Sequence, residues 1–432
     1  MTVTALSASV PAQLLITGVT LPDGSTADVY VDGPVFGDPS SAPADVARLD
    51  GSGLIALPGL VDPHVHLREP GREDAETIRT GTAAAARGGF TAVQAMANTS
   101  PVTDTAELAC AMAATAAEHA ACVVIPCGAI TQRLAGEHLA ELEPIHRAAG
   151  TMCFSDDGKC VADSQLMREA FEEVRAFDGV LAQHAQDPRL AGPDACCHEG
   201  ELSARLGLPG WTTAAESAIV ARDVELAALT GARYHVCHVS AQPTLDVIRA
   251  AKARGVRITA EATPHHLLLT TDLLADLDTT FKVNPPLRPA EHVEALRAAV
   301  ADGTVDMIGT DHAPHAPQDK AKAFVAASPG MVGLEQSLAV VIDTLVRPGR
   351  LDWAGVADRM AHSPAALLGL TDQGRPVAPG EPANLCLVDP EARHAVDPTD
   401  TESRSRNNPY AGRDLPDPVR LTVCLGHVTY RR

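Results

Sequence analysis

Eight short apolar, strand-like runs recur along the middle of this chain, at 59–66, 91–96, 122–128, 151–155, 179–184, 232–238, 256–262 and 305–310. A polar or glycine-containing turn follows each, and then a helical pattern, as at 75–87, 163–176, 214–229, 245–254 and 291–300. Such alternation predicts an α/β fold, and eight β/α units favour a closed TIM-type (β/α)8 barrel over an open doubly wound sheet.

The two ends of the chain read differently. Segments 14–32 with 54–57, and 383–388 with 419–430, carry β patterning punctuated by Gly, Pro and Asp, while 33–47 is a Gly/Pro/Ser/Ala-rich connector. The simplest arrangement is one small β-sandwich domain built from both ends, 1–58 and 372–432, beside a barrel at 59–371. With 45% hydrophobic and 21% charged residues the chain has the balance of a globular protein with a large core, which excludes disorder of the whole.

In barrel enzymes the chemistry gathers where the strands end. The run Asp62-Pro63-His64-Val65-His66-Leu67-Arg68 closes the first strand, and on a strand alternate side chains share a face, so His64, His66 and Arg68 point the same way. A His-x-His pair alone is a weak sign of metal. Here, however, Asp157 follows the fourth strand, His184 ends the fifth, His238 ends the sixth and Asp311 follows the eighth. Four imidazoles and two carboxylates match the N/O donor set of a zinc site that keeps positions open for water and substrate. Asp157 can bridge two cations as it stands, whereas Lys159 would first need its amine carboxylated.

The other histidines divide by position. His235 and His238 fall on opposite strand faces, and His238 lies nearer the rim. His265, His266 and His312 lie near strand ends and are expected to pack or to support ligands. His119, His138, His146, His292 and His394 lie in polar stretches and read as solvated.

A formal charge of -21 argues against a nucleic-acid partner or an anionic membrane surface. An anionic substrate would need local positive charge, which Arg68 beside a metal supplies. Ten cysteines without a CxxC pair do not make a disulfide scaffold. Cys110, Cys122, Cys127, Cys153 and Cys237 sit in apolar runs, as buried thiols in a reducing cytosol do, and Cys196-Cys197 reads as two ordinary loop thiols. The first residues, MTVTALSASVPAQ, lack the basic and apolar regions of a secretory signal, and no apolar segment is long enough to span a bilayer. The expected location is cytoplasmic.

Seven motifs, taken in order and spacing, identify a family resemblance that covers nearly the whole chain. DPHVHLREPG (62–71), MANTSP (96–101), FSDDG (154–158), HVCHVS (235–240), TPHHLLL (263–269), NPPLR (284–288) and TDHAPH (310–315) resemble class I dihydroorotases of the cyclic amidohydrolase superfamily. The resemblance implies reversible, zinc-dependent closure of N-carbamoyl-L-aspartate to L-dihydroorotate plus water, the third step of de novo pyrimidine synthesis. It implies His64 and His66 on the more buried zinc, His184 and His238 on the second, Asp157 bridging, and Asp311 as ligand and catalytic acid/base. One or two Zn2+ ions per subunit are implied, with two favoured. Divalent cations promote loss of a proton from water and polarise the amide carbonyl, while Asp311 shuttles the proton.

For the substrate, the resemblance implies that Arg68 and Asn98 hold the α-carboxylate, a role suited to a guanidinium fork. His66, Asn284 and His315 would add contacts, and the backbone of Pro329-Gly330 would meet the ring. Read without the resemblance, Asn98 and Asn284 fit turn chemistry equally well. The polar segment 315–328 is a candidate lid or a plain surface loop. A homodimer and association with an aspartate carbamoyltransferase are further expectations.

Two other readings compete. A hydantoinase or allantoinase resembles this fold and metal set, but its ligand would leave Arg68 unpaired, and Asp157 stands where those relatives carry a carboxylated lysine. A non-catalytic barrel subunit of a carbamoyltransferase assembly would have lost metal ligands, and none is missing here. Asn384, where superfamily members usually carry Asp, bears on local hydrogen bonding only, and Lys159-Cys160 is less typical of the family.

Overall fold

A computed structural model describes residues 2, 3 and 5–432. Its centre is a set of eight parallel strands: β1 (Leu60–Val65), β2 (Phe90–Ala95), β3 (Val123–Pro126), β4 (Cys153–Phe154), β5 (Val180–Gln183), β6 (Arg233–Val236), β7 (Ile258–Ala262) and β8 (Met307–Ile308). Seven fall inside the runs anticipated from sequence, and β2 begins one residue ahead of its run, at Phe90. β1, β2 and β3 pair in one parallel sheet and β4 to β8 in another. Single parallel bridges join the two sheets at both seams, Gly128 to Phe154 and Val65 to His312, so the pairings run in a closed cycle.

Both faces of these strands are apolar, which is why they read as unbroken apolar runs, and the β1–β2 pairing carries register shifts at Leu60/Val61 and Asp62/Val65. Leu60, Val65, Phe90 and Val93 face the surrounding helices in one large core. Their neighbours Val61 and Ala92 turn the other way, joining Cys153, Val180, Ala182 and Met307 in an inner cluster. Ala365, Leu367 and Leu368 of the helix Ser363–Leu368 complete that cluster. Because Val180 and Met307 begin their strands and Val61 is the second residue of β1, the apolar plug fills the N-terminal end of the cycle. Polar chemistry is left to the C-terminal end.

The helix Ser164–Arg175 shows how the outer layer forms. Asp163 caps it through a 2.8 Å bond from Leu166 N, and Met167, Ala170, Phe171 and Val174 fall on one buried face at helical spacing. Truncating Phe171 to Ala would cost about 3–5 kcal/mol, because a full ring would leave a packed core.

Both chain ends contribute to one nine-stranded sheet. Leu385–Val388 pairs antiparallel with Ile55–Pro58 on one side and Val419–Cys424 on the other, which ties the ends together. Along it Leu385 and Leu387 enter the core of the sheet, while Cys386 and Val388 pack against the central core. Asn384 fits this frame: its Nδ2 donates to Asp372 O and its Oδ1 accepts from Leu425 N.

Several expectations are corrected. The connector 33–47 contains a strand, Val35–Gly37, because buried Phe36 anchors it to the sheet, and Ala47–Asp50 adds another strand. Cys110 is exposed, since it lies on the outer face of its helix. Cys196 and Cys197, read as ordinary loop thiols, are buried against Leu274 and Phe324, and Cys197 opens a two-residue strand, Cys197–His198. His119 and His138 are exposed, but His146, His292 and His394 are only half-buried. His146 stacks on Phe177 at 4.4 Å, so its ring belongs to a packing contact.

Candidate metal centre and adjoining cavity

The C-terminal ends of the strands bring all six anticipated ligands together. His64 lies near the end of β1 and His66 just past it, Asp157 follows β4, His184 follows β5, His238 follows β6 and Asp311 follows β8. All six are buried. His64, His66, Asp157 and Asp311 each offer one donor atom within 4.8 Å of the others, and Asp157, His184 and His238 form a second group on the same criterion. Asp157 is common to both. His238 and Asp311 hold φ of 33° and 47°, a region costly for residues with a side chain, so surrounding structure must hold these turns.

The hydrogen bonds around three of the rings decide where their lone pairs point. Nδ1 of His64 lies 2.5 Å from Glu261 Oε1. Burial disfavours an ionised Glu261, but the His64 and His235 rings outweigh it and hold the carboxyl well below its usual range. Glu261 therefore accepts, Nδ1 carries the hydrogen, and Nε2 of His64 is left without a hydrogen-bond partner, 3.4 Å from Asp157 and 3.6 Å from Asp311.

Asn98 fixes the second ring. Its Nδ2 donates to Asp157 O, which turns Oδ1 towards Nδ1 of His66 at 2.9 Å. Nε2 of His66 then faces Asp311 at 3.1 Å and Asp157 at 3.2 Å. Gln186 fixes the third: its Oε1 accepts from Asn284 Nδ2 and from Nε2 of His184. Nδ1 of His184 is thereby aimed at Asp157, 3.3 Å away, and at Nε2 of His238, 2.9 Å away.

Three lone pairs thus converge on two carboxylates, a repulsive arrangement unless positive charge lies among them. Divalent cations satisfy that geometry, and the donor set of imidazole nitrogen and carboxylate oxygen suits zinc chemistry. The residues present therefore fit a metal. When no cation is bound, burial opposes protonation of His64 and His184, but Asp157 outweighs it and raises both rings above the usual imidazole range.

A cavity of about 240 Å³ opens beside this cluster, lined by His66, Arg68, Asn98, Asp157, His184, Asn284 and Asp311, and also by Ala313, His315 and 328–330. All of the anticipated substrate contacts line it. Arg68 anchors its Nε on Pro314 O at 3.1 Å and has no ion-pair partner among the described residues. Burial lowers its guanidinium to about 10, still charged at neutral pH. Burial and then Arg68 press His315 down to about 3, so its ring is neutral and its Nε2 donates to Pro329 O at 2.7 Å. Gly330 N donates to Lys282 O, so that amide hydrogen is used within the protein. Lys159 is exposed, whereas Asp157 is buried among the ligands.

Supporting residues were the part that sequence reasoning missed. Glu261 holds His64, Nε2 of His235 and the backbone N of His238, and a lone carboxylate inside an apolar strand run was the available signal. Glu76, fully buried, accepts from Nε2 of His312 and from Ser403 Oγ, and His312 O accepts from His66 N at 2.9 Å. His312 thus reaches a ligand through its backbone, whereas His266 is buried and bonds Thr263 and Pro285 O, a packing role.

A family profile described as "Dihydro-orotase-like" matches residues 53–244. The chain is 52% identical over 423 residues to a dihydroorotase of Streptomyces coelicolor, covering 97% of this chain and 98% of that one. It is 48% identical over 417 residues to a dihydroorotase of Mycobacterium tuberculosis, covering 95% and 96%. Among solved structures, an L-hydantoinase from Arthrobacter aurescens superposes with a TM-score of 0.85 at 24% identity, over 97% of this chain and 96% of that one, which is a likeness of fold. Identity of this order over nearly the whole of both chains, with a buried imidazole and carboxylate cluster that could hold a metal ion, places the chain in the dihydroorotase family of metal-dependent cyclic amidohydrolases.

Proposed function

We propose that the chain is a class I dihydroorotase that interconverts N-carbamoyl-L-aspartate and L-dihydroorotate, the ring-closing step of pyrimidine synthesis, using two zinc ions. The closed strand cycle is read as a TIM-type (β/α)8 barrel at 59–371, and the nine-stranded sheet as a β-sandwich made by 1–58 and 372–432. The observation that carries the substrate assignment is Arg68: a charged guanidinium without a carboxylate partner lines the cavity beside the ligand cluster. A ring bearing a carboxylate answers that charge through a charge-assisted pair, and a plain hydantoin does not.

His64, His66, Asp157 and Asp311 would hold one ion and Asp157, His184 and His238 the other. Bound zinc would activate water and polarise the reacting carbonyl. Asp311 would take and return the proton: burial opposes its ionisation, but the surrounding imidazoles outweigh it and keep the carboxyl ionised when no cation is bound. Asn98 turns its amide oxygen to His66 while lining the cavity, coupling substrate position to ligand orientation. Arg68 and Asn98 orient the carboxylate, and Asn284 and His315 border the ring.

The deciding experiment is side-by-side kinetics of the zinc-loaded protein on dihydroorotate, N-carbamoylaspartate, hydantoin and allantoin. Turnover of the first two with little of the others is expected, and the reverse preference sinks the assignment. Activity of the chain alone and with an aspartate carbamoyltransferase separates a self-sufficient enzyme from one that needs such a partner.

A further inference from the structure

Two loop segments contribute to the wall of the cavity, one through Ala313 and His315 and the other through Pro329 and Gly330. They touch closely: Gly330 has φ of 144°, and a Cβ there would come within 2.7 Å of His315 Nε2 and 2.9 Å of Ala313 Cβ. A third segment, from the C-terminal part of the chain, lies behind them. In it Asn407, which is buried and does not line the cavity, spends its whole side chain on these two loops. Its Nδ2 donates to Ala313 O at 3.0 Å and to Gly330 O at 3.1 Å, and its Oδ1 accepts from His315 N at 3.2 Å. The amide orientation follows from its partners, two carbonyls on one side and an N–H on the other. The backbone of the same residue accepts from Val332 N, and Ser405 Oγ reaches His315 O at 2.9 Å.

We propose that Asn407 is a positioning residue for substrate binding, locking the His315 turn and the Pro329-Gly330 turn at the separation the ring requires. It touches neither substrate nor ligand atoms, and acts through the two loops that border them. A carboxylate at this position would set oxygen against two carbonyls, and a methyl would leave three backbone groups to find water in a buried place. Neighbouring Asn408 supplies an internal control, because it bonds Gln336 Oε1 and Tyr410 N in the same segment without reaching either loop.

The proposal rests on the substrate reading above, and the test keeps the two apart. Zinc-loaded wild type, Asn407→Asp, Asn407→Ala and Asn408→Ala are compared by dihydroorotate kinetics and by backbone hydrogen exchange across 312–332. Both Asn407 variants are expected to raise KM about tenfold with kcat changed less than about threefold, the worth of one or two lost hydrogen bonds acting on binding. They are also expected to speed exchange at the two turns while leaving the metal content unchanged, and Asn408→Ala to do neither. A fall in kcat at constant KM, equal effects of the Asn407 and Asn408 variants, or failure of both Asn407 variants to fold would each overturn it. Wild type that ignores dihydroorotate would instead defeat the substrate reading, and the exchange data would then decide the role of Asn407.

Discussion

Glu261 and His64 form a buried pair with the carboxylate 2.5 Å from Nδ1, so that the opposite nitrogen of the same ring is turned towards Asp157 and Asp311. One residue from β7 thereby sets the direction of a donor from β1. Glu261 also receives the backbone N of His238, at 3.1 Å, and so steadies a donor from each group.

Replacing Glu261 with Gln keeps the shape and removes the charge that orients and enriches His64. Supporting partners of metal ligands are typically worth 10–100-fold in affinity, so zinc affinity should fall by about that factor. Competition with a chromophoric chelator measures it, and an unchanged affinity would remove Glu261 from the centre.

Asp157 belongs to both donor groups, so its loss should be felt by both ions. Asp157→Ala is expected to bind fewer than two zinc ions, and retention of two would refute bridging. Wild type should also release protons on loading, because Asp157 raises His64 and His184 against the effect of burial when no cation is bound. The sign follows: the imidazolium forms compete with zinc, so apparent affinity weakens as pH falls through their raised values. Calorimetry in buffers of different ionisation heat reads the released protons directly, and zero release would contradict the geometry.

The strands and the ligands were legible because each carries a local signal. An apolar run of five or six residues ending in His or Asp shows both a buried strand and a polar strand end. His64, His184 and His238 each have that form, and the structure brings all of them together. What sequence hid were contacts over long separations: Glu261 to His64 across 197 residues, Ser403 to Glu76 across 327. A buried carboxylate on an apolar strand looks alike whether it holds a ligand or fills a gap. The strand at Val35–Gly37 was hidden differently, since Gly33, Gly37 and the flanking Pro34 and Pro39 signal a turn and buried Phe36 is what marks the sheet.

Arg68 makes the substrate assignment testable by subtraction. Arg68→Met removes the fork while keeping the apolar stem, and hydrogen bonds to charged groups are worth about 1.5–3 kcal/mol. kcat/KM for dihydroorotate should drop roughly 10- to 150-fold, mostly through KM, if the fork binds ground state and transition state alike. Zinc content should not change, because Arg68 is not among the ligand groups. An unaltered KM would show that some other group holds the carboxylate.

Lys320 ties the loop beside the cavity by donating to Ser328 O at 2.9 Å and Lys282 O at 3.2 Å. Burial, with Lys282 nearby, lowers its ammonium from 10.5 to about 7, although Asp278 acts the other way. The unfolded chain therefore binds this proton more tightly than the folded one. Below about 7 both states are protonated and the charged form is a constant penalty on folding; between about 7 and 10.5 the folded state sheds the proton first, and the penalty is relieved as pH rises. Lys320→Met carries no such proton. The stability of wild type minus that of the variant, from urea unfolding at pH 6, 7.5, 9 and 10, should be flat at the acid end and climb above about 7. Taking the difference cancels the buried thiols and phenols that titrate in the same range. A flat difference throughout would mean that the buried amine keeps its ordinary proton, and that the two carbonyls of Ser328 and Lys282 are strong enough acceptors to hold it.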